Sequence, residues 1–537
     1  MTLDKYTEVY LPKIKHYRQD LSKQVEPYLP LIKNIDPSKD EHFNAAVEIE
    51  KLLSPKELKI TGLTTRELID KQLQNELTAV DIYNAFSKRG ALAHIFTNCA
   101  MELFFPEGLE RAQELDDYRI KNGGKLVGPF HGIPISLKEL MKYKGKITNA
   151  GYVAFLDNII TNPDDESLTI KILRDQGAVF YIRTSQPQTV MHLDTQNNIT
   201  GRTTNPFNTK ISPGGSSGGE GAAVALKASV IGIGSDIGGS VRVPAAFCGI
   251  YGIRPTTKRL SGLGSLSGGA GQESIFATQG PMTNSIDDID YYMDAYINKG
   301  KPWLKDPNII PLEWKLNYQL DDTITFGFLT TDTIVDPSDS IKRGLSYVQD
   351  KLTKFTGKKC IVKTINLDHE LMENAYKQNK QIYGTSKPTH DEILNKSEEP
   401  ILPLTQVFLN FANENGNNIL TNNIVKEQTK LYFHQLFENE SLDFIIGPTF
   451  TNVAEVPDNI THWFYSSMFN LIDFPNIVFK TGLTHDSNVD LQGPSNMTNY
   501  NPNDYINAPI GLQLTAKRFE DEKLVACVRL LDEVLGL

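Results

Sequence analysis

The sequence predicts an α/β protein that forms a single large domain, with a central mixed, mostly parallel β-sheet and helices on both of its faces. Near residue 126 the pattern changes, and short apolar runs begin to alternate with helical segments. Strand-like runs at 133–137 and 179–182 flank a helix that starts near Asn162. The same order recurs between residues 323 and 365. A strand, a helix and a strand in succession indicate a right-handed parallel crossover, and repeated crossovers give a sheet covered by helices.

The first 125 residues are predicted to form a helical layer packed on the core. The segment Thr64-Thr-Arg-Glu67 fits a capping box, in which threonine and glutamate each bind a backbone N–H at a helix start. Residues 126–537 are predicted to be the α/β core, and both parts together are expected to form one compact catalytic unit. Further strands are expected near 444–446, 477–479 and 510–514, followed by a closing helix at 519–535.

The composition is typical of a globular protein, with 40% hydrophobic and 22% charged residues in a chain of 537. A net charge of -11 and a pI near 5.5 argue against nucleic acid or an anionic membrane as the main partner, because both attract basic surfaces. The first residues lack the pattern of a signal peptide, and no apolar run is long enough to span a membrane. We therefore expect a cytoplasmic protein without a transmembrane segment.

The four cysteines, Cys99, Cys248, Cys360 and Cys527, lie far apart and form no Cys-x-x-Cys pair. This spacing excludes the usual zinc ribbons and redox motifs, and it indicates free thiols in a reducing compartment. We expect neither a metal nor a cofactor.

The stretch from Ser212 to Arg254 is rich in glycine and serine. Glycine is costly to order, so such a run indicates a backbone that turns sharply or approaches a ligand closely. A phosphate-binding loop is one interpretation, but no Gly-Lys-Ser/Thr follows and Gly232-x-Gly234 lacks a third glycine. A nucleophile elbow is the second, since Gly214-Gly-Ser216-Ser-Gly218 fits G-x-S-x-G. The polar segment 205–213 before it is, however, a poor central strand.

The third interpretation combines two serine sites. Residues 230–234 form an apolar strand that leads into Asp236-Ile-Gly-Gly-Ser240, where small residues leave backbone N–H groups free to bind an oxyanion. Ser240 would be the nucleophile, and a serine nucleophile needs a base. Lys138 follows the apolar run 133–137, so its amine can reach the carboxyl edge of the sheet. To act as a base it must be neutral, so burial must lower its pKa from about 10.4 by roughly three units.

The segment GGSSGGEGAAVALKASVIGIGSDIGGSVRVPAAFCGIYGIRPT closely resembles the signature of the amidase signature family, and we place this signature segment at 205–260. Ser216 and Ser240 are 24 residues apart, the separation that the family keeps between its two catalytic serines. Lys138 ends the upstream motif Gly-Ile-Pro-Ile-Ser-Leu-Lys. The resemblance implies the amidase signature fold and an acyl-enzyme on Ser240. It also implies Lys138 as the base and Ser216 as the serine between them, on a cis peptide bond after Gly215.

The resemblance further implies an oxyanion hole formed by the backbone of Ile237, Gly238, Gly239 and Ser240. Asp236 and Arg242 flank the nucleophile and are expected to pair and brace this loop. Ser217 is expected either to satisfy the loop backbone or to take part directly in catalysis.

Two further residues have alternative interpretations. Val190 resembles a substrate-lining position of the fatty acid amide hydrolases, although a valine at this position equally fits the core. Ser216 is also expected to contact the substrate. Glu220 stands at the start of the helix after Ser216, where a carboxylate favours the helix dipole.

The segments at 90–99, 247–252 and 508–514 resemble fungal acetamidase-type members of the family. This resemblance implies a general amidase that acts on small aliphatic or aryl amides, with a homodimer as one possible assembly. A fatty acid amide hydrolase-like enzyme for long-chain amides is an alternative, in which 401–411 would form an apolar patch for substrate access. A glutaminase subunit of a tRNA-dependent amidotransferase is another. Residues 383–422, which include Asn415-Gly416, give no clear prediction about the acyl group.

Overall fold

The computed structural model describes residues 5–413 and 418–537, so Asn415-Gly416 lies outside the described residues. The strands are β1 Ala100–Leu103, β2 Ile135–Lys138, β3 Ile182–Thr184, β4 Gln196–Asn197, β5 Gly201–Arg202, β6 Ile231–Asp236, β7 Tyr251–Arg254, β8 Thr278–Thr283, β9 Thr323–Leu329, β10 Lys359–Ile365, β11 Phe444–Pro448, β12 Asn476–Thr484 and β13 Pro509–Thr515. The α-helices are α1 Leu11–Val25, α2 Ala45–Lys51, α3 Pro55–Thr61, α4 Thr65–Leu73, α5 Ala79–Thr97, α6 Phe105–Lys121, α7 Leu168–Asp175, α8 Gly218–Ala225, α9 Arg242–Phe247, α10 Ile286–Asp294, α11 Asp339–Lys354, α12 His369–Gly384, α13 Lys387–Ser397, α14 Pro403–Leu409, α15 Ile419–Asn439, α16 Phe464–Ile472 and α17 Asp521–Leu535.

Eleven of the strands form one mixed sheet in the order β1-β3-β2-β6-β8-β7-β12-β13-β11-β9-β10. Parallel pairing holds within two blocks, β3-β2-β6 and β11-β9-β10. Antiparallel pairing joins the blocks through β8, β7, β12 and β13. The parallel pairing predicted for the two crossovers is confirmed, since β2 pairs parallel with β3 and β9 pairs parallel with β10.

Helices cover both faces of this sheet, as two neighbouring residues of β13 demonstrate. A Cβ on Gly511 would meet Ala246 of α9, whereas the side chain of Ile510 lies against Gly344 of α11. Because successive residues of a strand point to opposite faces, α9 and α11 lie on opposite sides of the sheet. The predicted mixed α/β architecture is therefore confirmed.

The first 125 residues contribute more than helices. The capping box at Thr64 and Glu67 starts α4 as predicted. Ala100–Leu103, however, forms the edge strand β1, which pairs antiparallel with β3. This strand was not predicted, because four residues between two long helices carry too short a pattern to be recognised. The amino-terminal segment is thus joined to the sheet by backbone hydrogen bonds as well as by packing.

The segment around 383–422 is mostly helical where it is described, in α12, α13, α14 and the start of α15. Within 401–411 most apolar side chains are buried, including Leu404, Phe408 and Phe411, while Ile401 is exposed. Among the described helices, none combines the length and apolar character needed to cross a membrane.

Candidate active site

The site lies where two parallel strands end. β2 ends at Lys138 and its neighbour β6 ends at Asp236. Because parallel strands present their carboxyl ends at the same edge of a sheet, the loop after β6 begins close to Lys138. This loop, residues 237–240, carries Ser240 and leads into α9. Ser216 lies on a second turn, directly before α8.

Lys138 is completely buried and contacts two serines. Its Nζ donates to Ser216 Oγ at 2.7 Å and to Ser235 Oγ at 3.1 Å. Burial lowers the pKa of Lys138 to about 7, although the negative charges of Asp236 and Glu220 partly oppose this shift. Near neutral pH, a substantial fraction of this amine is therefore uncharged and able to accept a proton.

The turn that carries Ser216 is held by its neighbours. The Gly215–Ser216 peptide bond is cis. Thr195 Oγ1 donates to the Gly214 carbonyl at 2.9 Å and accepts from the Gly218 N–H at 3.1 Å, so one side chain bridges both sides of the turn. A Cβ on Gly215 would overlap the backbone of Asp194, so no larger residue fits at that position.

Ser217 joins the two serine turns. Its backbone N–H donates to the carbonyl of Ser240 at 3.1 Å. Its hydroxyl accepts from the N–H of Ser235 at 3.3 Å. Ser217 therefore satisfies loop backbone on both the Ser240 loop and the end of β6.

Ser240 is 5% exposed, and its hydroxyl makes no hydrogen bond within the described part of the chain. The N–H groups of Ile237, Gly238 and Ser240 are also without a hydrogen-bond acceptor among residues 5–413 and 418–537. The N–H of Gly239 differs, because it donates to Asp236 Oδ1 at 2.8 Å. Three backbone N–H groups of the expected oxyanion hole are therefore free to bind a substrate oxygen. The N–H of Gly239 is not, because Asp236 already accepts from it.

The loop is braced by a buried ion pair between Asp236 and Arg242. Arg242 Nε and Nη2 donate to the two carboxylate oxygens, each at 3.0 Å. The same carboxylate accepts from the N–H of Val241 at 3.1 Å and from Asn470 Nδ2 at 2.9 Å. Burial alone would raise the pKa of Asp236, but the charge and hydrogen bonds of Arg242 hold it well below its usual range. The carboxylate therefore stays ionised.

Three aromatic residues, Tyr383, Trp463 and Phe411, form an aromatic wall beside the loop. The Tyr383 hydroxyl of α12 donates to the Ile237 carbonyl at 2.7 Å. The Tyr383 ring lies 6.0 Å from the ring of Trp463, which lies 5.2 Å from that of Phe411. A Cβ on Gly238 would approach both Tyr383 and Trp463. A substrate bound at the loop would therefore lie near aromatic surface.

Val190 is half-buried and packs against the core. It ends the turn Gln188–Val190, in which Thr189 and Val190 have φ values of +68° and +63°. Left-handed backbone is strained for a β-branched residue and concentrates at functional sites. Gln188 anchors this turn, since its Nε2 donates to Glu399 Oε2 at 2.8 Å.

Glu220 differs from its predicted setting. It does lie in the first turn of α8, but it is completely buried and points into the sheet. Ser136 donates to one carboxyl oxygen, and Thr184 Oγ1 donates to the other at 2.8 Å. Burial raises the pKa of Glu220 to about 8. Its surroundings are therefore those of a buried acid near Lys138, which its position at the helix start did not predict.

Several residues around the site were not predicted from the sequence. Ser235 is the second acceptor of Lys138, and it could have been found by noting that β2 and β6 end side by side. Tyr383 and Ser466 hold the carbonyls of the loop, with Ser466 Oγ donating to the Gly238 carbonyl at 2.8 Å. No sequence signal identifies them, since both come from distant helices. No group of histidine, cysteine and acidic residues suited to a metal ion occurs in the described ranges.

Fold and site together define an α/β enzyme of the hydrolase class. The chain matches the family model described as Amidase over residues 81–525, and it belongs to that family. It is 34% identical over 512 residues to the acetamidase of Emericella nidulans, covering 90% of this chain and 91% of that one. The acetamidase of Aspergillus oryzae is 34% identical over 511 residues, with 90% and 92% covered. The predicted family and enzyme class are confirmed, and the chain is an amidase.

Solved structures agree with this assignment. A fatty acid amide hydrolase is 40% identical to this chain, with a TM-score of 0.91, and the match covers 100% of this chain and 98% of the other. A bacterial aryl acylamidase is 17% identical with a TM-score of 0.71, over 88% of this chain and 96% of that one. The second likeness shows only the shared fold.

Proposed function

We propose that this amidase cleaves carboxylic amides through an acyl-enzyme on Ser240, with Lys138 as the base and Ser216 as the proton relay. One observation carries the proposal: a completely buried lysine, with a pKa lowered to about 7, donates to Ser216 Oγ at 2.7 Å. A lysine in water is charged at neutral pH and cannot take a proton. Burial in a site of serines supplies the neutral amine that the reaction needs.

In the first step the Ser240 hydroxyl attacks the amide carbonyl. Its proton passes to Ser216, and the proton of Ser216 passes to Lys138. Ser216 then gives its proton to the leaving nitrogen and takes back the proton that Lys138 holds. The C–N bond breaks as the nitrogen is protonated, because an amine leaves poorly unless it is protonated. Water hydrolyses the acyl-enzyme by the same route and releases the carboxylate.

The tetrahedral intermediate carries a negative oxygen that needs hydrogen-bond donors. The free N–H groups of Ile237, Gly238 and Ser240 support an oxyanion hole at this loop. The ion pair between Asp236 and Arg242 would keep these donors in place before substrate binds. Pre-positioned donors stabilise the transition state without reorganisation.

Small aliphatic or aryl amides are the substrates that we propose. The acetamidases of two fungi are similar to this chain over nine-tenths of its length. Within the aromatic wall, Tyr383 and Trp463 lie beside Gly238 of the loop and Phe411 packs on Trp463, so apolar rings lie close to the proposed reaction centre. Val190, on its strained turn, would be a further substrate contact.

Long-chain amides are a second candidate class. The solved fatty acid amide hydrolase is similar over the whole chain. Residues 401–411 pack Phe408 against Phe411, which contacts Trp463, so this segment reaches the aromatic wall. A long acyl chain that extends from the loop in this direction would contact these rings.

Labelling by a fluorophosphonate probe tests the nucleophile. Intact-mass measurement should show one adduct on the wild-type protein and none on Ser240→Ala, because Ser240 would be the reactive hydroxyl. Ser267→Ala, which removes an exposed loop serine, should label like the wild type. Labelling that survives in Ser240→Ala but is lost in Ser216→Ala would contradict the proposal and favour a nucleophile elbow at Ser216.

A substrate panel on the purified chain decides among the substrate classes. Acetamide and aryl amides should be hydrolysed with higher kcat/KM than amides with long acyl chains. The opposite order would favour the second class. Glutamine tests the remaining alternative, since a glutaminase subunit of an amidotransferase would need its partners and should leave simple amides intact.

Assembly, location and organisation are also proposals. We propose a homodimer in the cytoplasm that acts on a small-molecule amide without nucleic acid, and size-exclusion chromatography with light scattering tests the oligomeric state. We also propose that residues 1–125 and 126–537 form one catalytic unit. The edge strand β1, which lies in the first part and pairs with β3 of the second, supports this.

A further inference from the structure

Glu220 is a buried acid that the proposed reaction does not use. It is completely buried, and the described residues place no lysine, arginine or histidine within ion-pair distance of it. Its two carboxyl oxygens accept from the hydroxyls of Ser136 and Thr184. Ser136 also shares a hydrogen bond of 2.7 Å with Ser229. A buried carboxyl held only by hydroxyl groups is costly to ionise, so its presence calls for a reason.

The strand register places this carboxyl beside Lys138. Ser136 lies two residues before Lys138 on β2, so both side chains are on the same face of the sheet. Thr184 is the direct partner of Lys138 in the parallel pairing of β2 with β3. The two hydroxyls that hold Glu220 therefore come from positions that flank Lys138. Gly232, the partner of Ser136 on β6, leaves the space for the carboxyl, because a Cβ there would overlap Glu220 Oε2.

We propose that Glu220 is a positioning residue for amide cleavage: its carboxylate stabilises the ammonium ion that forms on Lys138 when Ser240 attacks. This inference rests on the proposed role of Lys138 as the base. The proton on Lys138 comes from Ser240 through Ser216, and Glu220 exchanges none itself. A positive charge generated inside a low-dielectric site is costly unless a negative charge faces it. Glu220 supplies that charge without contacting the reacting atoms.

The electrostatics of the two groups agree with the geometry. Burial lowers the pKa of Lys138 and raises that of Glu220, and in each case the charge of the other residue opposes the shift. The two residues therefore favour each other's charged form. Because the pKa of Glu220 is raised to about 8, the fraction of Glu220 that carries the negative charge increases as pH rises through that value.

The other titratable groups near Lys138 and Glu220 are either held in an ion pair or neutral. Asp236 faces Lys138 from β6, but its charge is balanced by Arg242. Cys99 and Tyr181 face Glu220, and burial raises the pKa of each well above neutral. Arg89 of α5 binds the far end of α8, at the Leu226 carbonyl. Glu220 is thus an acid near Lys138 whose negative charge is not balanced by a cation of its own.

The test is the pH dependence of kcat/KM in Glu220→Gln, which keeps the shape of the side chain but removes its charge. One carboxyl oxygen becomes an NH2 donor, which a hydroxyl of Ser136 or Thr184 can accept. Where Glu220 is ionised, loss of its negative charge lowers the pKa of Lys138, so the upper part of the acid limb, near pH 8, should move to lower pH. At high pH kcat should fall about tenfold while KM changes less than twofold, because the lost interaction acts only after proton transfer. Glu220→Asp should restore part of the loss.

Glu455→Gln is the matched control. Glu455 is also buried, with a pKa raised to about 8, but its carboxyl accepts from Asn459 and Tyr505 and not from residues of β2 or β3. Its variant should keep the wild-type acid limb. If Glu220→Gln folds poorly, Ser136→Ala gives the second measurement, since loss of a donor makes the carboxylate less favourable and should move the limb in the same direction by less.

An acid limb and kcat unchanged in Glu220→Gln would overturn the inference, as would a shift that Glu455→Gln reproduces. Failure of the proposed function has a different signature. In that case Lys138→Ala would keep its activity near neutral pH, whatever Glu220→Gln does.

Discussion

Tyr383 and Ile237 are joined by a hydrogen bond of 2.7 Å, from the phenol hydroxyl on α12 to the backbone carbonyl that opens the loop before Ser240. This bond fixes the peptide between Ile237 and Gly238, whose N–H is one of the proposed oxyanion donors. Tyr383 is 2% exposed, so water does not readily replace it. A residue 146 positions away in the chain thus orients the proposed catalytic loop.

Tyr383→Phe should therefore lower kcat several-fold with little change in KM, because the donors it orients act on the transition state. The loss of one hydrogen bond should also reduce the free energy of unfolding by about 1 kcal/mol. Tyr291→Phe is the control, since the Tyr291 hydroxyl also donates to a backbone carbonyl at 2.7 Å, that of Pro129. It should show a similar loss of stability and wild-type kcat. Equal kcat in the two variants would contradict the role of Tyr383.

Asp236→Asn should be the least stable variant of the site. It leaves the charge of Arg242 buried without a counterion, and breaking a buried ion pair in this way costs about 3–5 kcal/mol. Urea unfolding followed by circular dichroism measures the change. Asp350→Asn, which removes an exposed i,i+4 partner of Lys354, should cause almost none. A buried and an exposed variant of equal stability would mean that the Asp236 pair does not brace the loop.

The pH profile of the wild-type enzyme should have an acid limb near pH 7. The pKa of Lys138 is lowered to about 7, and the base is neutral only above that value, so kcat/KM rises as pH increases through it. Ser235 Oγ accepts a hydrogen bond from Lys138 Nζ at 3.1 Å, and this acceptor favours the ammonium form of Lys138. Ser235→Ala removes the acceptor. The limb should therefore move to lower pH in this variant. Movement to higher pH would show that Ser235 does not act on the charge of Lys138.

The parts of the fold that could be predicted are those with a local pattern. β2, α7 and β3 follow one another as apolar runs and a helix, and right-handed crossover then fixes their parallel pairing. The antiparallel middle of the sheet, β8-β7-β12-β13, could not be predicted because strand order there depends on packing between segments as far apart as 254 and 476. Short strands such as β1 also lack enough residues for a pattern.

The site shows the same division. The contact between Lys138 and Ser216, 78 positions apart, was expected because a known family signature links them. Ser235, Glu220 and Tyr383 were not assigned these contacts, because burial and strand adjacency decide them. Glu220 is the clearest case: from the sequence it is a helix-start carboxylate, and only the sheet beneath α8 shows that it is buried beside Lys138.

Gly239→Ala should damage the loop more than its size suggests. Gly239 has a φ of +122°, which L-residues rarely adopt, and a Cβ there would overlap Ser466 Oγ. The variant should lose most activity, because relief of the overlap moves the N–H groups of the loop. Gly271→Ala is the control, since Gly271 has a φ of +87° but open space around it. It should lose about 1 kcal/mol of stability and keep its activity. Fluorophosphonate labelling rates measure the difference, and equal rates in the two variants would show that the loop tolerates the overlap.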